Sequence, residues 1–121
     1  MRDNVLYNKS LNFAIRIVKL YSCLKDRGEY IMSKQIMRSG TSIGANITEA
    51  LDAQSGMDFV SKLSIALKEC KETRYWLTLL HRVGILYGKE YDSLDKDASE
   101  LNALLVSIIK TKKRNLMTKG K

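Results

Sequence analysis

Proline is absent from this 121-residue chain, and glycine occurs only seven times. Proline interrupts helices and is frequent in the turns of β-rich folds, so its absence over this length favours long uninterrupted helices. No apolar run approaches the roughly 20 residues that a membrane span needs. The segment Met1–Asn4 also lacks the hydrophobic region of a signal peptide. These absences predict a helical globular protein located in the cytoplasm, with no membrane partner.

The chain contains only two cysteines and one histidine. Cys23 and Cys70 fall inside helical patterns and are interpreted as small buried apolar residues, so we expect no disulfide framework. His81 lies on the core side of a helical pattern, where a structural role is favoured over a catalytic one. No C-x-x-C pair, phosphate-binding loop, zinc spacing or Glu-x-x-His motif occurs. We therefore expect no enzymatic activity, no metal site and no cofactor.

The formal net charge is +8, and the excess lies at the two ends of the chain. Residues 1–38 hold eight Lys/Arg against three Asp/Glu, whereas residues 39–109 hold seven against ten. Residues 110–121 hold six Lys/Arg and no carboxylate. This asymmetry indicates an anionic partner, with nucleic acid as the first candidate and an acidic membrane surface as the second. Attachment to a membrane surface is the weaker interpretation, because the basic tail lacks a hydrophobic face of useful size, so we expect no membrane partner.

Four stretches of helical periodicity are separated by short turn signals. They cover residues 4–25, a segment that starts between residues 29 and 33 and ends near residue 53, residues 57–83 and residues 88–114. Because short connections make sequential helices antiparallel neighbours, we expect residues 1–114 to form an all-α, up-down-up-down antiparallel four-helix bundle. We expect residues 115–121 to form a basic, flexible tail.

The second helical stretch is unusually poor in side-chain volume between residues 38 and 50. Apolar residues recur there at helical spacing: Ile36, Ile43, Ile47 and Ala50. Gly40 and Gly44 each cost about 1 kcal/mol of helix propensity relative to alanine. A neighbouring helix that comes very close offsets this cost, and the third helix, around Tyr75 and Trp76, is the expected neighbour. A tight packing seam and a functional surface are both compatible with this pattern.

The third helical stretch has two apolar arcs. The main arc contains Phe59, Leu63, Ala66, Leu67, Cys70, Leu77 and Leu80. The second arc contains Ile65, Trp76, Leu79 and Val83. A helix with two apolar arcs usually meets more than one neighbour, so we expect self-association. Arg74 projects towards the main arc, which we attribute to snorkelling along its aliphatic stem. We expect Arg38 to form an ion pair with Glu69 or Glu72.

The cations at both ends of the chain are candidate phosphate contacts. Lys9, Arg16 and Lys19 form a stripe on the first helix, with a solvated charged face as the alternative interpretation. In an up-down-up-down bundle the start of the first helix and the end of the fourth lie together, so we expect one positive pole formed by Arg2, Lys9 and the cations of the tail. The predicted nucleic-acid-binding residues are Lys9, Arg16, Lys19, Lys110, Lys112, Lys113 and Arg114.

Two segments resemble those of a known family. The run Arg38–Ala50 (RSGTSIGANITEA) and the run Lys68–Leu77 (KECKETRYWL) are similar in order and separation to the small four-helix-bundle proteins encoded in intervening sequences of bacterial 23S rRNA genes. That family includes the accessory variability determinant of diversity-generating retroelements. The residues that carry the resemblance are Arg38, Ser39, Gly40, Ser42, Gly44, Asn46, Glu49, Glu69, Tyr75 and Trp76.

The resemblance implies a ring-like homo-oligomer, a homopentamer, with a basic surface and no known catalytic activity. For the retroelement branch it also implies binding of RNA or DNA and association with a reverse transcriptase. Our first functional hypothesis is therefore a non-enzymatic oligomer that binds nucleic acid through phosphate contacts. The alternative is a homo-oligomeric protein–protein interaction scaffold without a nucleic-acid ligand.

Overall fold

The computed structural model of the protein describes residues 4–119. These residues form four α-helices and no β-strand: α1 (Val5–Asp26), α2 (Met32–Leu51), α3 (Gly56–Arg82) and α4 (Gly88–Lys119). The expected all-helical class is confirmed. The helix boundaries agree with the periodicity to within two residues, apart from the end of α4.

Local hydrogen bonds explain where the helices start and stop. The side chain of Asn4 accepts from the backbone N–H of Tyr7 at 2.9 Å and so caps α1. The side chain of Ser55 accepts from the backbone N–H of Asp58 at 3.0 Å and so caps α3. Glu29 caps α2, because its carboxylate accepts from three successive backbone N–H groups at 2.6–3.2 Å. Gly28 and Gly84 follow α1 and α3 with φ of +86° and +82°, a conformation that favours glycine.

Each helix packs against two others. α1 and α3 both contact α2 and α4, and no contact joins α1 to α3 or α2 to α4 among the described residues. The core between the four helices consists of Leu6, Phe13, Ile17, Leu20, Leu24, Ile36, Ile43, Ile47, Ala50, Leu63, Ala66, Cys70, Leu77, Leu80, Leu86, Leu94, Ala98, Leu101, Leu105 and Ile109. The isoleucines of α2 and the main arc of α3 thus pack where the periodicity predicts.

The two glycines of α2 face α1, whereas buried Ser39 contacts Thr73 of α3, the expected neighbour. A methyl group placed on Gly40 would lie 2.8 Å from Cγ1 of Ile17, and one on Gly44 would lie 3.3 Å from Oγ of Ser10. Both neighbours belong to α1, so the close approach is to α1 and not to the region around Tyr75 and Trp76. A stretch of small residues indicates that a neighbouring helix is close, but it does not indicate which of the two flanking helices comes closer.

Helix α4 continues beyond the boundary expected at Arg114, through residue 119. A long-range contact accounts for part of this extension, because Leu116 packs over the first residue of α3, Gly56. A methyl group on that glycine would lie only 2.6 Å from Cδ2 of Leu116. Residues 115–119 of the predicted tail are therefore helical, and residues 120 and 121 lie outside the described residues.

Candidate nucleic-acid interface

The cations of α1 face carboxylates of α4. Arg16 donates to the carboxylate of Asp97 at 2.7 Å and to the hydroxyl of Ser93 at 2.9 Å. Lys9 lies 3.4 Å from the carboxylate of Glu100. These ion pairs compensate much of the charge that the stripe carries in the sequence.

Lys19 lines a shallow depression between α1 and α4. Glu90 lines the same depression, together with Arg16. The third member of the predicted α1 stripe therefore also lies beside a carboxylate of α4. Along the interface, higher-numbered residues of α1 meet lower-numbered residues of α4.

The cations near the end of α4 have a different environment. Lys110, Lys113 and Arg114 are exposed, and the ammonium of Lys112 lies over the ring of Phe59, 5.6 Å from its centroid. None of the ion pairs formed within residues 4–119 involves these four cations. Lys19 forms no such pair either, so only Lys9 and Arg16 of the predicted interface residues are paired with a carboxylate within this range.

The structure does not bring the two predicted groups of cations into one cluster. Lys9 contacts Glu100, which lies ten residues before Lys110 on the same helix. At 1.5 Å per residue, this separation is about 15 Å along α4. Arg2, which was expected at the same pole, lies outside the described residues. The basic segment of α4 is therefore a separate patch.

Arg38, the cation of the run Arg38–Ala50 on α2, is paired with two carboxylates of α3. Arg38 donates to both carboxylate oxygens of Glu69 at 3.3 Å and also to the carboxylate of Glu72. The indole N–H of Trp76 donates to the same Glu72 oxygen at 3.0 Å. The expected ion pair of Arg38 is thus confirmed, with both candidate carboxylates as partners.

This network shifts the pKa values of its members. The hydrogen bond from Trp76, followed by that from Arg38, lowers the pKa of Glu72. The hydrogen bond to Glu72 in turn raises the pKa of Arg38. Both groups are held in their charged forms, as expected of a structural link between two helices.

The other polar residues of the two runs mostly make contacts within the bundle. Ser39 is buried and its hydroxyl accepts from that of Thr73 on α3 at 2.9 Å. Ser42 and Asn46 donate to backbone carbonyls one turn earlier in α2, and Glu49 pairs with Lys62 at 3.2 Å. These contacts favour the packing-seam interpretation of the stretch. Tyr75 is the exception, because it is 59% exposed and meets Trp76 edge-on.

Arg74 forms an ion pair that the sequence analysis did not predict. Its Nε and Nη2 atoms donate to the two carboxylate oxygens of Asp95 on α4, at 2.9 and 3.2 Å. The hydrogen bond to Asp95 raises the pKa of Arg74. The projection of α3 placed this side chain near the apolar arc, but the position of Asp95 on another helix was not available from the projection.

The histidine and the cysteines have distinct environments. His81 stacks on Tyr91 at 4.5 Å between centroids, and its Nδ1 lies 3.0 Å from a backbone carbonyl of the following loop. Cys70 is buried as expected, and burial raises its pKa to about 11. Cys23 is exposed, contrary to the sequence interpretation, because it lies on the polar side of α1. Within the described residues, no three His, Cys, Asp or Glu side chains are grouped to hold a metal ion.

Comparison with known proteins now identifies the family. The profile of the family described as 23S rRNA-intervening sequence protein matches residues 2–107. The chain belongs to this family. A crystal structure of a protein with unknown function, from the S23 ribosomal protein family of Bacteroides thetaiotaomicron VPI-5482, is 56% identical in sequence. It superposes with a TM-score of 0.86, covering 88% of this chain and 99% of the other.

Three further facts concern the chain. No curated protein matches it. None of the helices formed by residues 4–119 is long and apolar enough to span a bilayer. The family match ends at residue 107, so the basic segment Lys110–Arg114 lies outside the matched range.

Proposed function

We propose that the protein is a non-enzymatic, basic, oligomeric nucleic-acid-binding protein that holds RNA or DNA through phosphate contacts in the cytoplasm. The observation that carries the proposal is the segment Lys110–Arg114, which has four cations in five residues. No carboxylate follows Glu100 in the sequence. Because none of the four cations is paired with a carboxylate of the described residues, binding a phosphate would not require breaking an ion pair.

Binding through these cations is expected to depend strongly on salt and weakly on sequence. Each phosphate contact contributes about 0.9 to the slope of log affinity against log salt concentration for duplex DNA. Four contacts therefore contribute a slope of roughly 3–4. Lys9 and Arg16 contribute less, because a phosphate must compete with Glu100 and Asp97 for them.

The proposed architecture is an up-down-up-down antiparallel bundle that assembles into a ring-like homo-oligomer, and the resemblance suggests a pentamer. The antiparallel arrangement is supported by contacts that run in opposite directions along α1 and α4. Self-association is supported by an apolar face on α1 formed by Leu11, Ile15 and Val18, each 44–46% exposed. In the second arc of α3, Ile65 and Val83 are 40% and 55% exposed, whereas Trp76 and Leu79 are half-buried.

A titration with a structured RNA and a duplex DNA at two salt concentrations tests the proposal. The test variant replaces Lys110, Lys112, Lys113 and Arg114 with glutamine. The matched control replaces four exposed lysines elsewhere: Lys34, Lys68, Lys89 and Lys96. We expect the Kd at low salt to rise at least tenfold for the first variant and less than threefold for the control. No binding at low salt, or equal losses in both variants, would reject the interface.

The protein–protein scaffold is the second candidate, and the apolar face of α1 favours it. Its partners would be copies of the chain and, by the resemblance, possible reverse transcriptase subunits. Pull-down before and after nuclease treatment separates the two functions, because a contact made only by protein survives the nuclease. Light scattering on the purified chain measures the size of the oligomer, and a monomer would exclude both the ring and the scaffold.

A further inference from the structure

An open groove lies between the beginning of α3 and the end of α4. Met57 and Val60 of α3 line one side, and Lys113, Leu116 and Met117 of α4 line the other. Its volume is about 380 Å³. The groove follows the seam between two adjacent helices, a place where the apolar face of another helix can lie.

The groove depends on the part of α4 that lies beyond the family match at residue 107. Leu116 packs over Gly56, and Lys112 lies over the ring of Phe59, so the extension is seated on the first turn of α3. These two contacts hold the extension against the bundle and create the seam.

The sides of the groove expose an unusual amount of apolar surface. Met57 is 77% exposed and Met117 is 71% exposed. Methionine side chains are flexible and polarizable, and they are frequent on surfaces that accept apolar partners. A phosphate backbone makes no use of such side chains, so binding of nucleic acid to the neighbouring cations leaves them unexplained.

The cations beside the groove form a row along α4. Lys110, Lys113 and Arg114 lie at helical spacing with Met117, over about 10 Å of the helix. On the opposite side, Asp58 is the carboxylate of the first turn of α3, where its backbone N–H is bound to Ser55. The charge of the groove is therefore positive on the α4 side, and a complementary partner is acidic.

We propose that this groove is a docking site for an acidic amphipathic helix of a partner protein. The apolar side chains of that helix would cover Met57, Val60 and Met117, and its carboxylates would meet Lys113 and the cations on either side of it. This interaction goes beyond the proposed nucleic-acid binding, which requires the cations alone.

A peptide selection on the full-length chain tests the docking site. The probe is a library of 16-residue peptides with leucine at helical spacing and polar positions drawn from Glu, Lys, Gln and Ser. We expect selected peptides to be enriched in glutamate. We expect their affinity to fall at least tenfold in Met57→Gln/Met117→Gln and in Lys113→Glu.

The matched control is Ile31→Gln/Val83→Gln, which changes two exposed apolar residues in the interhelical loops, away from the groove. Its peptide affinity should stay within twofold of the wild type. Lack of enrichment, enrichment of lysine, or equal affinity in the Met57/Met117 variant would overturn the proposal. A change of oligomer size in that variant would instead assign the groove to a second copy and would also overturn it.

The methionine variant separates this proposal from nucleic-acid binding. Met57→Gln/Met117→Gln keeps every cation, so its RNA affinity should equal that of the wild type. A loss of RNA affinity in this variant would mean that nucleic acid occupies the groove, and the peptide site would be rejected. If the wild-type chain binds selected acidic peptides but no RNA, the docking site stands and the proposed nucleic-acid function fails.

Discussion

Ile17 of α1 lies against Gly40 of α2 so closely that a Cβ atom on the glycine would be 2.8 and 2.9 Å from its two γ-carbons. Ile17 is fully buried and branched at Cβ, so it has little freedom to move aside. The helix-propensity cost of this glycine is therefore offset by packing against α1.

Gly40→Ala should destabilise the protein, although alanine is the better helix former. Overpacking of a filled core costs about 1–3 kcal/mol, which exceeds the gain of about 1 kcal/mol in propensity. Urea unfolding measures the change in the free energy of unfolding. Gly44→Ala is the matched control with a smaller expected loss, because its nearest neighbour is Oγ of Ser10 at 3.3 Å. An unchanged or higher stability of Gly40→Ala would contradict the packing argument.

Arg74 and Asp95 should show measurable coupling in a double-mutant cycle. Arg74→Met leaves a half-buried carboxylate without its two hydrogen bonds, with an expected loss of about 1–2 kcal/mol. Adding Asp95→Leu should recover part of that loss, because the carboxylate is then removed too. The pair Lys9–Glu100 is the control, since both side chains are more exposed and exposed pairs contribute about 0–1 kcal/mol. Coupling no larger than that of the control would contradict a special role for Arg74.

Glu72 should make the protein sensitive to acid. Its pKa is lowered in the folded protein, so its stabilisation is present above the ordinary glutamate pKa of about 4.3. That stabilisation is lost as the pH falls through the folded pKa. Glu72→Gln should therefore lose less unfolding free energy than the wild type between pH 6 and pH 3.

The cause of this pKa shift can be tested separately by NMR titration of the Glu72 carboxyl group. Trp76→Phe removes the indole donor and should raise the pKa of Glu72, whereas Tyr75→Phe keeps that donor and should not. A Glu72 pKa at or above the ordinary value in the wild type would show that the network does not hold the carboxylate ionised.

The two cysteines should differ in reactivity. Cys23 is exposed, while Cys70 is fully buried with a pKa of about 11 and its thiol lies 3.3 Å from the carbonyl of Ala98. A thiol reagent at pH 8 should label one site rapidly in the folded protein and the second only when the chain unfolds. Rapid labelling of both sites would indicate that α3 and α4 separate under native conditions, and peptide mapping identifies the site.

The helices and most of their buried faces were predictable from the sequence, because apolar spacing and capping residues act locally. Ile43 and Ile47 are buried where the period of α2 places them, and Ser55 caps α3 as its position indicates. The partner of each helix was not predictable in this way. Gly40 faces α1 because of how α1 and α3 are arranged around α2, and no local pattern contains that information.

The partners of the charged residues were also not predictable from local sequence patterns. The cations of α1 and the carboxylates of α4 are both visible in the sequence, but their pairing depends on the register between two helices about 80 residues apart. Arg16 was therefore interpreted as a phosphate contact without knowledge of Asp97. Lys110 and Lys113 keep that interpretation, because neither takes part in an ion pair within residues 4–119.

The protein is chemically different at its two ends, since the segment Lys110–Arg114 and the methionine groove lie at the end formed by the first turn of α3 and the last turns of α4. In a cyclic assembly with the bundles parallel to its axis, every such end would emerge on one side of the disc, leaving the opposite side without it. A dihedral assembly would instead present these ends on both sides. The symmetry of the assembly would thus decide whether a polyanion can bind to one side of it or to both sides.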